Sequence, residues 1–440
     1  MYLCPSCSKY YEVGDAICHN CGAELPDAAL LAVESAETDD IITLPEIPEG
    51  AIIFSGAEVF LPHTSYNPGT VIVYDGIIIS VLPFAWPEIP SHGVVFDLTG
   101  KLLTAGYIDI HSHGMLGIDV NEATSDDFLK LSIAAAKFGI TSIIPTVAAC
   151  SAHDLRKIFL SLREARHNGF KGANILGLHY ESNFINPSFA GAQPRENIFA
   201  FDEFKADEIR EIIDLNFEEM RIMTIAPEMS GGKALIQWLN DRDIIVSLGH
   251  SGANYEQAID AFDAGAKQVT HKFNAMAPLH HRTPNLVGAA LERDDIFVQL
   301  ICDGEHIHPA VMAAVITAKG TERLIPITDS LPGAGLSDGE FIFAGRRVIV
   351  SNNIAKLEDG VIAGCVMTMD KMVAHLIDNI GWDIVEAFSM ASNTVANSIG
   401  MEDIGIIKKG AAADLIILDE NLSVEMTLIA GKPVYQKNKE

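Results

Sequence analysis

The chain has 440 residues, 48% of them apolar, and carries 30 Lys and Arg against 59 Asp and Glu, a formal net charge of -29. That length suits one large domain with one or two small attachments. The acidic balance repels phosphate backbones and anionic membranes, so it argues against nucleic acid or a membrane surface as a partner; a small anionic substrate must be drawn in by a few local cations.

The first 25 residues read M-Y-L-C-P-S-C-S-K-Y-Y-E-V-G-D-A-I-C-H-N-C-G-A-E-L. They contain no basic segment followed by an apolar core, and no apolar run in the chain approaches the roughly 20 residues of a membrane span, so a cytoplasmic location is expected. Cys4, Cys7, Cys18 and Cys21 form two C-x-x-C knuckles. Together they offer four thiolates to one tetrahedral zinc, the pattern of a zinc ribbon. His19 is then a spare. With Lys9 as the segment's only Lys or Arg, a structural role or a protein docking partner is expected rather than nucleic acid. Residues 26–50 are acidic and Pro-bearing and read as a solvated linker.

From residue 51 to 103, runs such as A-I-I-F, V-I-V-Y-D-G-I-I-I-S-V-L-P and G-V-V-F-D-L predict short strands broken at D-G and G. Residues 401–440 repeat the style with A-D-L-I-I-L-D and V-E-M-T-L-I-A-G-K-P-V-Y, so the two flanks are expected to build one small β-sandwich domain. The middle, 104–400, alternates apolar runs with helical patterns. Thr124 caps a predicted helix whose Phe128, Leu131 and Ala135 share a face, and Gly139 ends it. Eight candidate strands follow in order: K-L-L-T-A-G-Y-I-D-I, T-S-I-I-P-T-V, N-I-L-G-L-H-Y, R-I-M-T-I-A, I-I-V-S-L-G-H, K-Q-V-T-H, I-F-V-Q-L-I-C and L-I-P-I-T-D. Eight strands alternating with helices predict an α/β fold of the (β/α)8 TIM-barrel type. Cys150, Cys302 and Cys365 stand singly in apolar contexts and read as buried thiols.

Barrel enzymes build their sites at the C-terminal ends of the strands. Strand one closes with His111 and His113, strand three with His179 and Glu181, strand five with His250, strand six with His271 and strand eight with Asp329; strand seven leads into Asp303, His306 and His308. One histidine at a strand end is usually structural. Their recurrence with carboxylates is the donor set for Zn²⁺ or Fe²⁺. The period-two spacing of His111 and His113 sends both rings to one side of the strand.

The segments T-H-K-F-N-A-M-A-P-L-H-H-R-T-P-N-L-V-G-A-A-L (270–291), A-P-E (226–228), S-L-G-H-S-G-A (247–253), C-D-G-E-H-I-H-P (302–309), I-T-D (327–329) and I-A-G-C-V-M-T-M-D (362–370) carry a resemblance. Over about residues 51–435 the sequence resembles the N-acetylglucosamine-6-phosphate deacetylase family of the amidohydrolase superfamily. The resemblance implies metal-dependent hydrolysis of the N-acetyl group of an amino sugar phosphate, with Asp329 as acid/base on a metal-activated water. It implies Glu181, His250 and His271 as principal metal ligands, with His111 and His113 adding capacity for a second ion. Asn274 and Ala275 would meet the sugar phosphate, Arg282 would supply positive charge across a homodimer interface, and His306, in the loop from Asp303, would hold substrate near the acetamide. Ile362, Ala363 and Gly364 would line the pocket.

Two departures stand out. The family's H-L-E-G-P reads His179-Tyr180-Glu181-Ser182-Asn183, and its G-[AT]-H, whose His the resemblance implies touches substrate, reads Gly191-Ala192-Gln193. Three alternatives remain: a deacetylase of a related sugar such as N-acetylgalactosamine 6-phosphate, an amidohydrolase bridging two metals with a carboxylated lysine, and a non-enzymatic scaffold. R-I-M-T-I-A-P-E offers no lysine on strand four, and a scaffold predicts erosion of the metal and acid/base positions, all of which are present.

Overall fold

The computed structural model describes residues 44–87 and 93–437, together with the backbone of two short strands, Tyr2–Leu3 and Tyr10–Tyr11. The chain divides into two units, Met1–Ile47 and Pro48–Glu440. In the first, the two short strands pair antiparallel, Tyr2 opposite Tyr11. The proposed zinc ligands Cys4, Cys7, Cys18 and Cys21 lie outside the described residues, as does the linker up to residue 43.

The second unit is built on eight parallel strands: β1 (Tyr107–Ser112), β2 (Ile140–Ala148), β3 (Leu178–Glu181), β4 (Met220–Ile225), β5 (Ile245–Leu248), β6 (Gln268–Val269), β7 (Phe297–Ile301) and β8 (Leu324–Ile327). Each pairs with the next in sequence. The seam between β8 and β1 is made beyond the strand ends. Ser112 bridges Ser330 there, His113 N donates to Ser330 O at 2.8 Å and Asp329 N donates to His111 O at 2.8 Å. Deeper in the seam, the Asp109 carboxylate accepts from Thr328 Oγ1 at 2.5 Å and from the backbone N–H of His111 and Thr328.

Local sequence explains the elements. Every residue of β2, I-T-S-I-I-P-T-V-A, is buried, as befits a parallel strand covered on both faces. The helix after β1, Ser125–Lys137, starts at a capping box in which Thr124 and Asp127 satisfy each other's backbone N–H groups; Gly139, at φ 76°, turns the chain out of it. Phe128, Leu131 and Ala135 are fully buried on its inner face.

The two flanks share a separate eight-stranded sheet. Lys432–Gln436, Val424–Ile429 and Leu415–Leu418 run on through Leu102–Ala105 to Ile52–Leu61, Thr64–Tyr74 and Ile77–Leu82, with Val94–Asp97 added on Ile52–Leu61. It is mixed rather than antiparallel, because Ile52–Leu61 pairs in parallel with both Val94–Asp97 and Leu102–Ala105. Phe54, Val59, Val71, Leu103, Leu415 and Leu428 form its own core.

Two expectations need correction. K-L-L-T-A-G-Y-I-D-I is two strands in two sheets, divided at Gly106, where a Cβ would stand 2.0 Å from the Thr141 side chain. Only glycine lets the chain cross from the small sheet into β1 so close to β2. A four-stranded antiparallel sheet after β8, comprising Gly339–Phe343, Arg346–Ser351, Ile354–Leu357 and Ile362–Cys365, was not expected at all. Its Phe343, Val348, Val350 and Leu357 pack with Ala148, Ala192 and Leu331, covering one side of the barrel mouth.

Candidate active site

The rim of the barrel brings six of the predicted residues together. Glu181, His250 and His271 form one group whose ligand atoms all lie within 4.8 Å of one another, and His111, His113 and Asp329 form another. Glu181 joins them. Its Oε1 is 2.9 Å from both His250 Nε2 and His271 Nε2, while its Oε2 is 3.2 Å from His113 Nε2. Asp329 Oδ1 lies 3.2 Å from His111 Nε2 and 3.5 Å from His113 Nε2. His250, His271 and Asp329 all leave their strands with positive φ, at 48°, 27° and 47°. Such backbone costs on the order of 1–3 kcal/mol for a residue with a Cβ and persists where the surroundings impose it, commonly at functional sites.

Hydrogen bonds behind the rings decide which nitrogen faces the centre. Gln268 Nε2 donates to the Ser398 carbonyl at 3.1 Å, so Gln268 Oε1 must accept from Gln299 Nε2 at 3.0 Å, and Gln299 Oε1 must accept from His111 Nδ1 at 3.1 Å. His113 Nδ1 reaches the Thr146 carbonyl at 3.2 Å and His250 Nδ1 the Phe189 carbonyl at 2.8 Å. Each bond puts the proton on Nδ1 and leaves the Nε2 lone pair pointing inward, the arrangement found behind metal-bound histidines. His111 Nε2 is buried and makes no well-directed hydrogen bond, with Asp329 Oδ1 3.2 Å away. This donor set fits one or two divalent cations shared by Glu181.

The carboxylates and imidazoles of the rim hold one another ionised, and a cation bound at Nε2 would take the place of a ring proton. Burial opposes ionisation of Glu181, but the surrounding imidazoles, His250 and His111 foremost, outweigh it and hold the carboxyl well below its usual range. Asp329 is likewise held low, chiefly by His111. Burial would lower the pKa of His111, but Asp329 and Glu181 push it up to about 9. His179, one layer deeper, is pushed well down by burial and then by His111, and stays neutral between Thr146 Oγ1 and Thr224 Oγ1.

A cavity of about 300 Å³ opens above this rim. Its lining includes His113, Glu181, His250, His271, Asp329, His306, Asn274, Ala275, Ala192, Gln193 and Ile362 to Gly364. Phe343 and Val361, from the unexpected sheet, join them. Asp303 does not line the cavity. Its Oδ2 accepts from His306 Nδ1 at 2.6 Å, and that carboxylate outweighs burial to raise the pKa of His306. Arg282 is exposed, outside this chain's cavity, with Nη1 2.8 Å from His281 Nε2. His308 is exposed too and caps a helix through Ala310 N. Ser182 and Asn183 are buried and occupied with backbone carbonyls, Ser182 Oγ with Thr224 O at 2.7 Å and Asn183 Nδ2 with Cys150 O at 2.8 Å.

Sequence reasoning missed Asp109 and Gln299, and it gave Glu228, within A-P-E, no role. Asp109 carried a signal, since two residues before His111 it faces the same side of β1. Gln299 carried none.

The sequence profile of the amidohydrolase family matches residues 102–434. The chain belongs to the amidohydrolase family. Among its relatives, a protein of Escherichia coli O157:H7 named N-acetylgalactosamine-6-phosphate deacetylase is 32% identical over 361 residues, covering 82% of this chain and 93% of its own. The N-acetylglucosamine-6-phosphate deacetylase of Bacillus subtilis (strain 168) is 34% identical over 368 residues, covering 82% and 92%. Among solved structures, the N-acetylglucosamine-6-phosphate deacetylase of Pasteurella multocida superposes with a TM-score of 0.82 at 27% identity, over 88% of this chain and all of that one. The four-stranded sheet that covers the mouth of this amidohydrolase lies within the matched residues. No helix among the described residues is long and apolar enough to cross a membrane.

Proposed function

We propose that this amidohydrolase hydrolyses the N-acetyl group of an N-acetylhexosamine 6-phosphate, N-acetylglucosamine 6-phosphate first, to the free amine and acetate. The observation that carries the reading is Glu181 shared between two imidazole groups at 2.9 and 3.2 Å, with Asp329 beside them at the base of a sugar-sized cavity. N-acetylgalactosamine 6-phosphate is the second reading, favoured by the name of the Escherichia coli relative.

A divalent cation, Zn²⁺ or Fe²⁺, bound by Glu181, His250 and His271, and a second by His111 and His113, would supply electrophilic activation of the acetamide and of water. Asp329, ionised and facing the cavity, takes the proton of the attacking water and passes it to the departing nitrogen, which must leave as an amine. His306, held by Asp303, presents its free Nε2 to the cavity as the donor for the acetamide oxygen. Asn274 and the Ala275 backbone receive the far end of the sugar.

No Lys or Arg lines the cavity among the described residues, although a phosphate needs one. Arg282 is therefore assigned to the site of a second copy in a homodimer, where its planar fork matches phosphate. The remaining assignments are a (β/α)8 domain at 104–400, a small β domain from 51–103 and 401–440, a ribbon zinc held by Cys4, Cys7, Cys18 and Cys21 with a structural role or a protein partner to dock, and a cytoplasmic location.

The test is acetate release from N-acetylglucosamine and N-acetylgalactosamine, each with and without 6-phosphate. Release from a phosphorylated sugar is expected, and its absence for both sinks the reading. Arg282→Ala should raise KM for the phosphorylated sugar and leave the unphosphorylated one unchanged; equal effects on both remove Arg282 from the phosphate.

A further inference from the structure

Gln193 stands where the resemblance places a substrate-touching histidine, and its side chain is only 3% exposed. Its Oε1 accepts the Ala149 N–H at 2.8 Å, so the amide can present only its NH₂ to the other side. That NH₂ donates to Glu181 Oε2. The loop carrying it is fixed as well: Gln193 N donates to Ala190 O at 2.9 Å, and Arg346 Nη1, from the sheet over the mouth, donates to Ala192 O at 3.1 Å.

The two oxygens of Glu181 have different tasks. Oε1 faces His250 and His271; Oε2 faces His113, in the other group. A carboxylate turns easily about its terminal torsion. That rotation moves both oxygens at once, and on the Oε2 side the Gln193 amide is the neutral donor that opposes it. The Gln193 donor thereby helps to keep Oε2 on the side of the His111, His113 and Asp329 group.

We propose that Gln193 is a positioning residue that holds Glu181 across both groups and so sets the affinity of the second cation, rather than a residue that hydrogen-bonds the sugar. This rests on the metal-dependent reading above. Gln suits the task better than a titratable side chain, because it donates without adding a charge that would repel a cation. Without it, Glu181 still serves the first ion through either oxygen, while the bridge to the second ion is lost.

The experiment titrates the metal-stripped full chain with Mn²⁺, an ion that thiolate sites take poorly, and follows binding and electron paramagnetic resonance. Wild type is expected to take two ions in the barrel and, at saturation, to give the exchange-coupled signal of a bridged pair. In Gln193→Met, which keeps the length and loses the donor, the second ion should bind about 10- to 100-fold more weakly, with an uncoupled signal. The first ion and the sugar KM at saturating Mn²⁺ should stay within about 3-fold of wild type. If Gln193→Met does not fold, Gln193→Asn carries the same expectation, because its amide is a methylene too short to span Ala149 N and Glu181. Unchanged affinity for the second ion overturns the inference, as does a raised KM with metal binding intact. A wild type that binds one ion and is active overturns the inference alone; one that binds no ion overturns the metal-dependent reading with it.

Discussion

At the scale of single residues, what matters at this site is how each charged group is kept in one state. Asp329 is ionised because imidazoles surround it, which is what a proton acceptor requires. Asp329→Asn keeps the size and hydrogen-bonding shape but cannot take a proton. Turnover is expected to fall roughly 100- to 10,000-fold, while metal analysis finds the Glu181, His250 and His271 ion still bound. Retained turnover would move the proton-transfer role elsewhere. Lys272 is a different case. It is fully buried, with Nζ donating only to the Val287 carbonyl at 2.8 Å, and burial lowers its pKa to about 7 from 10.5. Between pH 7 and 10.5 the unfolded chain therefore binds a proton that the folded chain does not, and stability rises with pH across that window. In metal-free protein, Tm should climb from pH 7 to 9, and Lys272→Met should raise Tm at pH 7 and flatten that climb. Parallel profiles for the two proteins would refute the assignment.

At the scale of elements, the candidate metal ligands are held by loops that hold one another. Glu228, after β4, accepts from Asn186 Nδ2 at 2.8 Å, Ser251 Oγ at 2.7 Å and Gly252 N at 2.5 Å, tying the loops after β3, β4 and β5 together. The first of these loops supplies the Phe189 carbonyl that orients His250, and Asn186 N donates to His250 O at 3.0 Å. Glu228→Ala should weaken the ion held by His250 by about 10- to 100-fold in equilibrium dialysis, with Glu228→Gln recovering part of it; unchanged affinity would show that the loops stand without the tie. The A-P-E signature was visible in the sequence, but a short motif does not say which loops will lie within reach of its carboxylate. The strand ends were more legible. An apolar run ending in His or Asp marks both where a parallel strand stops and what it presents, because barrel geometry puts those ends on one rim.

At the scale of the whole molecule, the site exists only if the barrel closes. The seam between β1 and β8 depends on the buried Asp109, which joins Thr328 to the backbone of His111, and the next residues on either side are Asp329 and the His111 to His113 pair. Asp109→Ala leaves the backbone N–H groups of His111 and Thr328 without their acceptor, each costing on the order of 1–3 kcal/mol, while Thr328 Oγ1 keeps the His111 carbonyl at 3.3 Å. A Tm drop of several degrees is expected, with faster amide exchange confined first to β1 and β8. Uniform exchange across all eight strands would argue against a weak seam.

The residues themselves determined the eight strands, the helix caps and the donor types at the strand ends, because periodicity, capping and burial are local properties written in consecutive residues. They also marked His111 and His113 as a pair, through the two-residue repeat of a strand. Only the tertiary structure decided that Gly106 ends one sheet and starts another, that residues 339–365 form a sheet over the barrel mouth, and that Asp303 acts behind His306. It alone placed the Gln193 amide against Glu181. The physical reason is common to all four. A hydrogen bond or a steric limit between residues far apart in sequence depends on where the fold brings them, and no local pattern carries that distance.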